Sequence, residues 1–163
     1  MIFISLGTQK FQFNRLLQLM DDLKINGLIK EEIFAQIGNS DYIPKSFEYA
    51  TFLSAKEFDE KLTSCSCLVT HSGVGTILKA INNNKPIIVV PRLAKYKEHV
   101  DDHQVEIAKA FAKKNFVLMY TPEADMVDLI SEAKTHTFDK YISSKKQVIE
   151  RIENYLESLE NNL

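Results

Sequence analysis

Two cysteines among 163 residues, Cys65 and Cys67, exclude a disulfide-stapled fold, because one intervening residue leaves no loop to close. A reduced thiol pair at a strand entry is the plain reading, and a metal or redox role is the alternative. Net charge is only −2, so no broad basic field invites nucleic acid. The central apolar run, Ile87–Val90, falls far short of the roughly 20 residues that cross a bilayer as a helix. Residues 1–6 lack the basic start and small-residue cleavage site of a signal peptide, which sets the expectation of a cytoplasmic protein. Repeats, low-complexity tracts and interdomain linkers are also missing. What remains is one domain, residues 1–163, long enough to bury a core.

The apolar pattern alternates between two periods. Ile2–Leu6 reads as a strand ended by Gly7-Thr8, and Phe13, Leu16, Leu17, Met20 and Leu23 then form one helical stripe, with Asp21 among the polar side. Ile33–Ile37 and Tyr49–Leu53 are further strands, followed by a short helix over 55–64 with Phe58 and Leu62 inward. Cys67–Thr70 and Pro86–Pro91 flank another helix, and Val105–Phe111 mark a helix closed by Lys113-Lys114, cations that suit its dipole. Phe116–Tyr120 is a last strand. Thr121 is a plausible cap and Pro122 a good first residue for the next helix, and Ile142, Val148, Ile149, Ile152, Leu156 and Leu159 stripe a final helix. Strands alternating with helices predict an α/β fold: a Rossmann-like parallel sheet covered on both faces.

The chain is organised around Leu68–Gln104. Gly73 and Gly75 sit between a strand and a helix, where backbone N–H groups and the helix start favour an anion such as phosphate. A P-loop needs Lys-Ser/Thr after its second glycine, but Thr76-Ile77 stands there. The dinucleotide fingerprint needs a third small residue where Leu78 sits, and Ser72 lacks the leading glycine of a nucleophile elbow. A tight turn capped by Ser72 is the bland alternative. The next strand releases a loop carrying Arg92, Lys95, Tyr96, Lys97, Glu98, His99, Asp101, Asp102, His103 and Gln104, on the same rim as the glycine turn. His99 and His103 can share a helix face, but Val100 occupies the glutamate position of the zincin pattern, so no metal is expected.

Together, Val69–Thr76, Lys85-Pro86 with Val90-Pro91-Arg92, and Glu98–Gln104 resemble the C-terminal domain of glycosyltransferase family 28. Leu6-Gly7-Thr8, Gln36-Ile37-Gly38 and Phe52-Leu53 fit the same pattern. The resemblance covers nearly the whole chain. It is closest to the single-domain exopolysaccharide and capsule transferase subunits of the PssE type, and is similar to the catalytic subunit of the eukaryotic dolichol-linked N-acetylglucosaminyltransferase. It implies the nucleotide-sugar-binding half of a GT-B fold. It also implies a separate membrane-anchored subunit that binds the acceptor, a lipid-linked saccharide, and holds this chain at the inner face of the cell membrane.

Carried over by residue, the resemblance places Gly7 and Thr8 on the phosphates and Phe52 and Leu53 around the uracil, with the Leu53 backbone reading the base. It places Ser72, Gly73, Val74, Gly75 and Thr76 at the diphosphate, and Asp102, His103 and Gln104 at the sugar hydroxyls. Arg92 adds positive charge for the leaving UDP, and His71 and His99 are in-chain candidates for the general base, which otherwise lies on the partner. Lys79 stands where relatives carry a glutamate that grips the ribose, so another group must replace that contact. The implied activity is inverting transfer of a hexose from a UDP-sugar, of galactose, glucose or glucuronate type, without metal or other cofactor. A non-catalytic enhancer subunit and a nucleotide-sugar epimerase are the alternatives. The stripe of the last helix is expected on this sheet, on the partner, or on a second copy in a homo-oligomer.

Overall fold

The structure, a computed structural model, describes residues 1–143 and 145–160, and in the last helix the side chains of residues 147–155 and 157. Six strands form one wholly parallel sheet: β1 (Ile2–Ser5), β2 (Ile33–Gln36), β3 (Glu48–Ala50), β4 (Cys67–Thr70), β5 (Ile87–Val89) and β6 (Leu118–Met119). Their order is β3-β2-β1-β4-β5-β6. That order reverses direction between β1 and β4, and ligands of doubly wound sheets bind at such a switch point, outside the carboxyl ends of the strands.

Period-two alternation sorts each strand between two cores. Ile2, Ile4, Cys67, Val69 and Ile88 meet Leu16, Leu17 and Met20 of α1 (Asn14–Ile25) and Ile130 of α5 (Met126–Thr135). Phe3, Leu68, Ile87 and Val89 face the other way, onto Leu62 of α2 (Ala55–Ser64), Ile77 and Ala80 of α3 (Val74–Asn82) and Ala108 of α4 (His103–Lys113). Full burial of each such aliphatic side chain contributes about 1.5–3 kcal/mol, which explains strands that read as near-continuous apolar runs.

The same alternation carries polar residues to the strand tops on the second face. Ser5 continues the series of Phe3, Gln36 that of Phe34, and Thr70 that of Leu68; the register sets Ser5 opposite Gln36 on one side and Thr70 on the other.

Four expectations change. Helix α5 starts at Met126, not after Thr121: the Asp125 side chain accepts the Val127 N–H at 2.7 Å and so supplies the cap, while 121–124 form a turn. Asp21 is buried rather than solvated, since its carboxylate accepts from the Tyr42 hydroxyl at 2.7 Å and from the Lys45 and Ser46 amides at 2.9 Å. Strand β3 ends at Ala50, which leaves Phe52 and Leu53 in the turn before α2. The last helix, α6 (Lys145–Glu160), begins after Ile142, and its Val148, Ile149 and Ile152 are exposed rather than packed on the sheet. The stripe residues Leu156 and Leu159 lie outside the described side chains.

Candidate functional site

A cleft of about 370 Å³ opens at the switch point, between the starts of α2 and α3. The two helix starts differ. Helix α2 satisfies its own end with a capping box, in which the Ser54 amide donates to Glu57 Oε2 at 2.8 Å and the Glu57 amide donates to Ser54 Oγ at 3.3 Å. Helix α3 has Gly73 as its cap residue, no side-chain cap and no acidic residue in its first turn. The N–H groups of Val74, Gly75 and Thr76 precede the first intrahelical bond and point out of the helix end. An uncapped start carrying partial positive charge is an anion site when something else builds a cavity around it.

The cavity is built from hydrogen-bond donors. Ser5 and Gln36 line it together with Gly7, Thr8, Gln9, His71, Gly73, Gly75, Thr76 and Lys79; Leu53, Ala55 and Phe58 make an apolar side. Ser5 is 0% exposed, and its Oγ has no hydrogen-bond partner. Among the described residues no carboxylate lines the cleft. A second cavity of about 360 Å³ lies at the opposite end of the sheet, against the carboxyl end of α3 and residues 136–141. There the helix dipole repels anions, so its polarity is wrong for phosphate.

His71 sits between the two glycine turns and is the reason for both glycines. A Cβ on Gly7 would lie 2.5 Å from His71 Nε2, and one on Gly73 would lie 2.8 Å from the same atom and closer still to Cε1. Gly7 also adopts φ +73°, a left-handed conformation that suits glycine. A Cβ on Gly75 would meet nothing within 4 Å, so that position opens onto the cleft. Burial pushes the His71 pKa from 6.5 down to about 4, and the nearby Arg92 cation pushes it the same way. A neutral imidazole at physiological pH follows.

Of the residues expected here, Gly7, Thr8, Leu53, His71, Gly73, Gly75 and Thr76 line the cleft. Phe52 is 49% exposed and does not, and the Leu53 N–H is already taken by Gln36 Oε1 at 3.2 Å. Val74 points outward. Ser72 neither caps α3 nor lines the cleft; its amide donates to Gln104 Oε1. The reading of Arg92 as a phosphate contact is corrected by its burial at 1% exposure. Its Nη2 donates to Leu6 O at 2.7 Å, and its Nη1 donates to Phe11 O, Gln12 O and Glu98 O at 3.0, 2.8 and 3.1 Å. Arg92 therefore laces the loop after β1 to the loop after β5. Glu98, also buried, completes this lacing by accepting both Arg15 Nε and Nη2 at 2.9 Å.

The sugar-side residues also move. Gln104 is buried and turned inward. Asp102 Oδ1 accepts the Ala94 amide at 2.8 Å, and His103 is exposed at the start of α4, 3.7 Å from Glu106. His99 lies outside the cleft lining; its Nδ1 contacts Asp101 Oδ1 at 3.0 Å and its ring packs on Phe11. Lys79, at the position where the resemblance expects a ribose-gripping glutamate, lines the cleft; its Nζ pairs with Asp59 Oδ1 at 2.5 Å over the Phe58 ring. Sequence reasoning missed Ser5, Gln9, Gln36, Ala55 and Phe58. The signal for two of them was present: a polar residue ending an apolar strand points where its apolar predecessors point.

The model of the glycosyltransferase family 28 C-terminal domain matches residues 1–159. The chain belongs to that family. UDP-N-acetylglucosamine transferase subunit ALG13 of Candida albicans is 25% identical over 124 residues, covering 72% of this chain and 40% of the relative. The human protein of the same name is 24% identical over 127 residues, covering 74% of this chain and 11% of its own length. Among solved structures, the glycotransferase of kitacinnamycin superposes with a TM-score of 0.62 at 16% identity, over 83% of this chain and 34% of that one. The spinosyn forosaminyltransferase SpnP superposes with a TM-score of 0.55 at 17% identity, over 83% and 35%. This family 28 domain thus spans under half the length of each of these relatives.

Proposed function

We propose that this domain is the nucleotide-sugar half of an inverting glycosyltransferase, completed by a second chain that holds the acceptor. The observation that carries the reading is the uncapped start of α3 opening onto a cleft lined by donors and by no carboxylate among the described residues. A UDP-sugar matches that polarity. Its diphosphate lies against the Gly75 and Thr76 amides and His71, and its base lies toward Leu53, Ala55 and Phe58. Asp59 lies outside the cleft lining but pairs with the cleft-lining Lys79, and in this reading it is the acidic group that meets the ribose.

In transfer, the acceptor hydroxyl attacks the anomeric carbon while the bond to the diphosphate oxygen breaks. The electron pair leaves with UDP, whose growing charge meets fixed N–H dipoles that need no reorganisation. The hydroxyl proton needs a base. His71 is a poor one, because its pKa of about 4 leaves it a weak proton acceptor. His99 lies outside the cleft lining, so the base belongs to the partner. Amide dipoles and Lys79 supply the charge stabilisation, and a metal-independent reaction is the expectation.

The word "subunit" in the relatives' names supports a two-chain enzyme. So does α6, whose exposed Val148, Ile149 and Ile152 offer an apolar stripe to another chain. No helix among the described residues is long and apolar enough to cross a membrane, so attachment to the inner face of the cell membrane would come through the partner. The donated sugar is read as a hexose of galactose, glucose or glucuronate type, passed to a lipid-linked saccharide in exopolysaccharide or capsule assembly. UDP-N-acetylglucosamine, the donor in the relatives' names, is the competitor. Co-expression with an anchored acceptor-half protein, followed by UDP-sugar consumption on membranes with and without EDTA, tests the proposal. Turnover of one UDP-sugar supports it. UDP binding without turnover of any sugar would make the domain a non-catalytic binding subunit, and neither binding nor turnover would refute the reading altogether.

A further inference from the structure

One buried side chain joins the cleft to the loops behind it. Gln104 Oε1 accepts two backbone N–H groups, from Ser72 and from Arg92, each at 3.2 Å. Two converging donors require that end of the amide to be the oxygen. The other end is then the NH₂ group, a donor, and it faces His71 Nδ1 at 3.4 Å. An Nδ1 that accepts carries no proton, and a neutral imidazole must then carry its proton on Nε2. That Nε2 lies against Gly7 and Gly73 in the wall of the cleft.

We propose that Gln104 is a positioning residue: it holds His71 in the Nε2–H tautomer and so aims one N–H donor from between the two glycine turns into the anion site. The chain of dependence runs from backbone to cleft. Strand ends β4 and β5 fix the amides of Ser72 and Arg92, those amides orient Gln104, and Gln104 selects the tautomer. Gln104 therefore acts through His71 rather than on the ligand, which its 5% exposure also requires. Burial and the Arg92 cation, not Gln104, depress the His71 pKa, and they keep the ring neutral so that a single tautomer is at issue. The other charged or titratable groups near the ring are Arg92, His99 and, across the cleft, Lys79; none is an anion that would favour imidazolium.

The tautomer does not depend on what the cleft binds. Only the assignment of its N–H to a phosphate oxygen rests on the nucleotide-sugar reading. Long-range ¹⁵N NMR of the imidazoles in the full wild-type chain tests the first part, with the His71 signals identified by their loss in His71→Gln. The expected result is an Nε2–H pattern that stays constant from about pH 5.5 to 8, since that window lies above the depressed pKa. An Nδ1–H pattern, or titration near the ordinary histidine value, overturns the proposal. A shift of the His71 Nε2 resonance on adding UDP supports the ligand assignment. The predicted tautomer without any response to UDP overturns that assignment and leaves Gln104's role standing.

Gln104→Glu reverses the logic without removing the acceptor. A carboxylate still takes both backbone N–H groups but demands a proton on Nδ1. UDP affinity, flat in the wild type between about pH 7 and 9, should then fall about tenfold in the variant as Nε2 gives up its proton. A role for Gln104 in packing alone would lower the melting temperature and leave both the tautomer and the pH profile of binding unchanged. If this variant does not fold, the wild-type spectrum still decides.

Discussion

Gly75→Asp separates the stability of this domain from its proposed binding. Gly73 is the poorer place for such a test, because any Cβ there collides with the His71 ring, whereas a Cβ at Gly75 meets nothing within 4 Å. Replacing glycine inside a helix gains about 0.5 kcal/mol, and an acidic residue near a helix start gains about 0.3–1 kcal/mol more. Helix α3 has no acidic residue in its first turn, so the variant should be more stable by about 1 kcal/mol. The same carboxylate would face the diphosphate. At about 5 Å and an effective dielectric near 20, each unit of like charge costs about 3 kcal/mol, or roughly a hundredfold in affinity. Denaturant unfolding should therefore show a raised midpoint with an unchanged slope, and calorimetry should show UDP binding weakened by at least about a hundredfold. A variant that is more stable and binds UDP as the wild type does would place the anion somewhere other than the start of α3. Gly73→Ala is the control, expected to lose about 1–3 kcal/mol through overpacking against His71.

Three further outcomes follow. His71 has a folded pKa of about 4 against 6.5 in the ordinary state, so its stabilising share is present above pH 6.5 and is lost as pH falls through 4; the drop is about 3 kcal/mol, and His71→Gln should flatten the stability profile over that window. Glu31, whose burial alone would raise its pKa, is held down to about 2 by Lys134, the Met1 ammonium and Ser66, so it titrates mainly below 4.5 and leaves the His71 window readable. Arg92→Met strands four backbone carbonyls, those of Leu6, Phe11, Gln12 and Glu98, so urea unfolding should report a loss of about 3–5 kcal/mol, and Arg92→Lys should not restore it because one ammonium cannot span the same acceptors. Asp59→Asn should reduce the preference for UDP over 2′-deoxy-UDP while changing the melting temperature little, since both partners of the Lys79 pair are about half exposed and well solvated.

Most of the fold was legible because the information is local. Ile2-Phe3-Ile4 or Cys67–Thr70, between turn residues and followed by a helical stripe, has few alternatives to a buried parallel strand. The two glycine turns were equally readable. What failed was the direction of polar side chains, which depends on partners far away in sequence. Arg92 is a ligand candidate in a list of charged loop residues, and becomes a brace only when Leu6, 86 residues earlier, is brought to its Nη2. Gln104 likewise turns inward because Ser72 and Arg92 arrive together. Ser5 and Gln36 were overlooked for the opposite reason: single polar residues at strand ends look incidental until the register sets them side by side. The α6 stripe stayed open between this sheet, a partner and a second copy, because periodicity shows that a helix has an apolar face without showing what covers it.

The central claim is that the switch-point cleft of this chain holds a nucleoside diphosphate without help from a second protein. Isothermal titration of the full chain with UDP, UMP and uridine, in buffer containing EDTA, tests it directly. The account predicts saturable binding that weakens from UDP to UMP and is weakest for uridine, and that disappears for UDP in Gly75→Asp. Equal binding of UDP and uridine, or no binding of any of the three by folded protein, would contradict it.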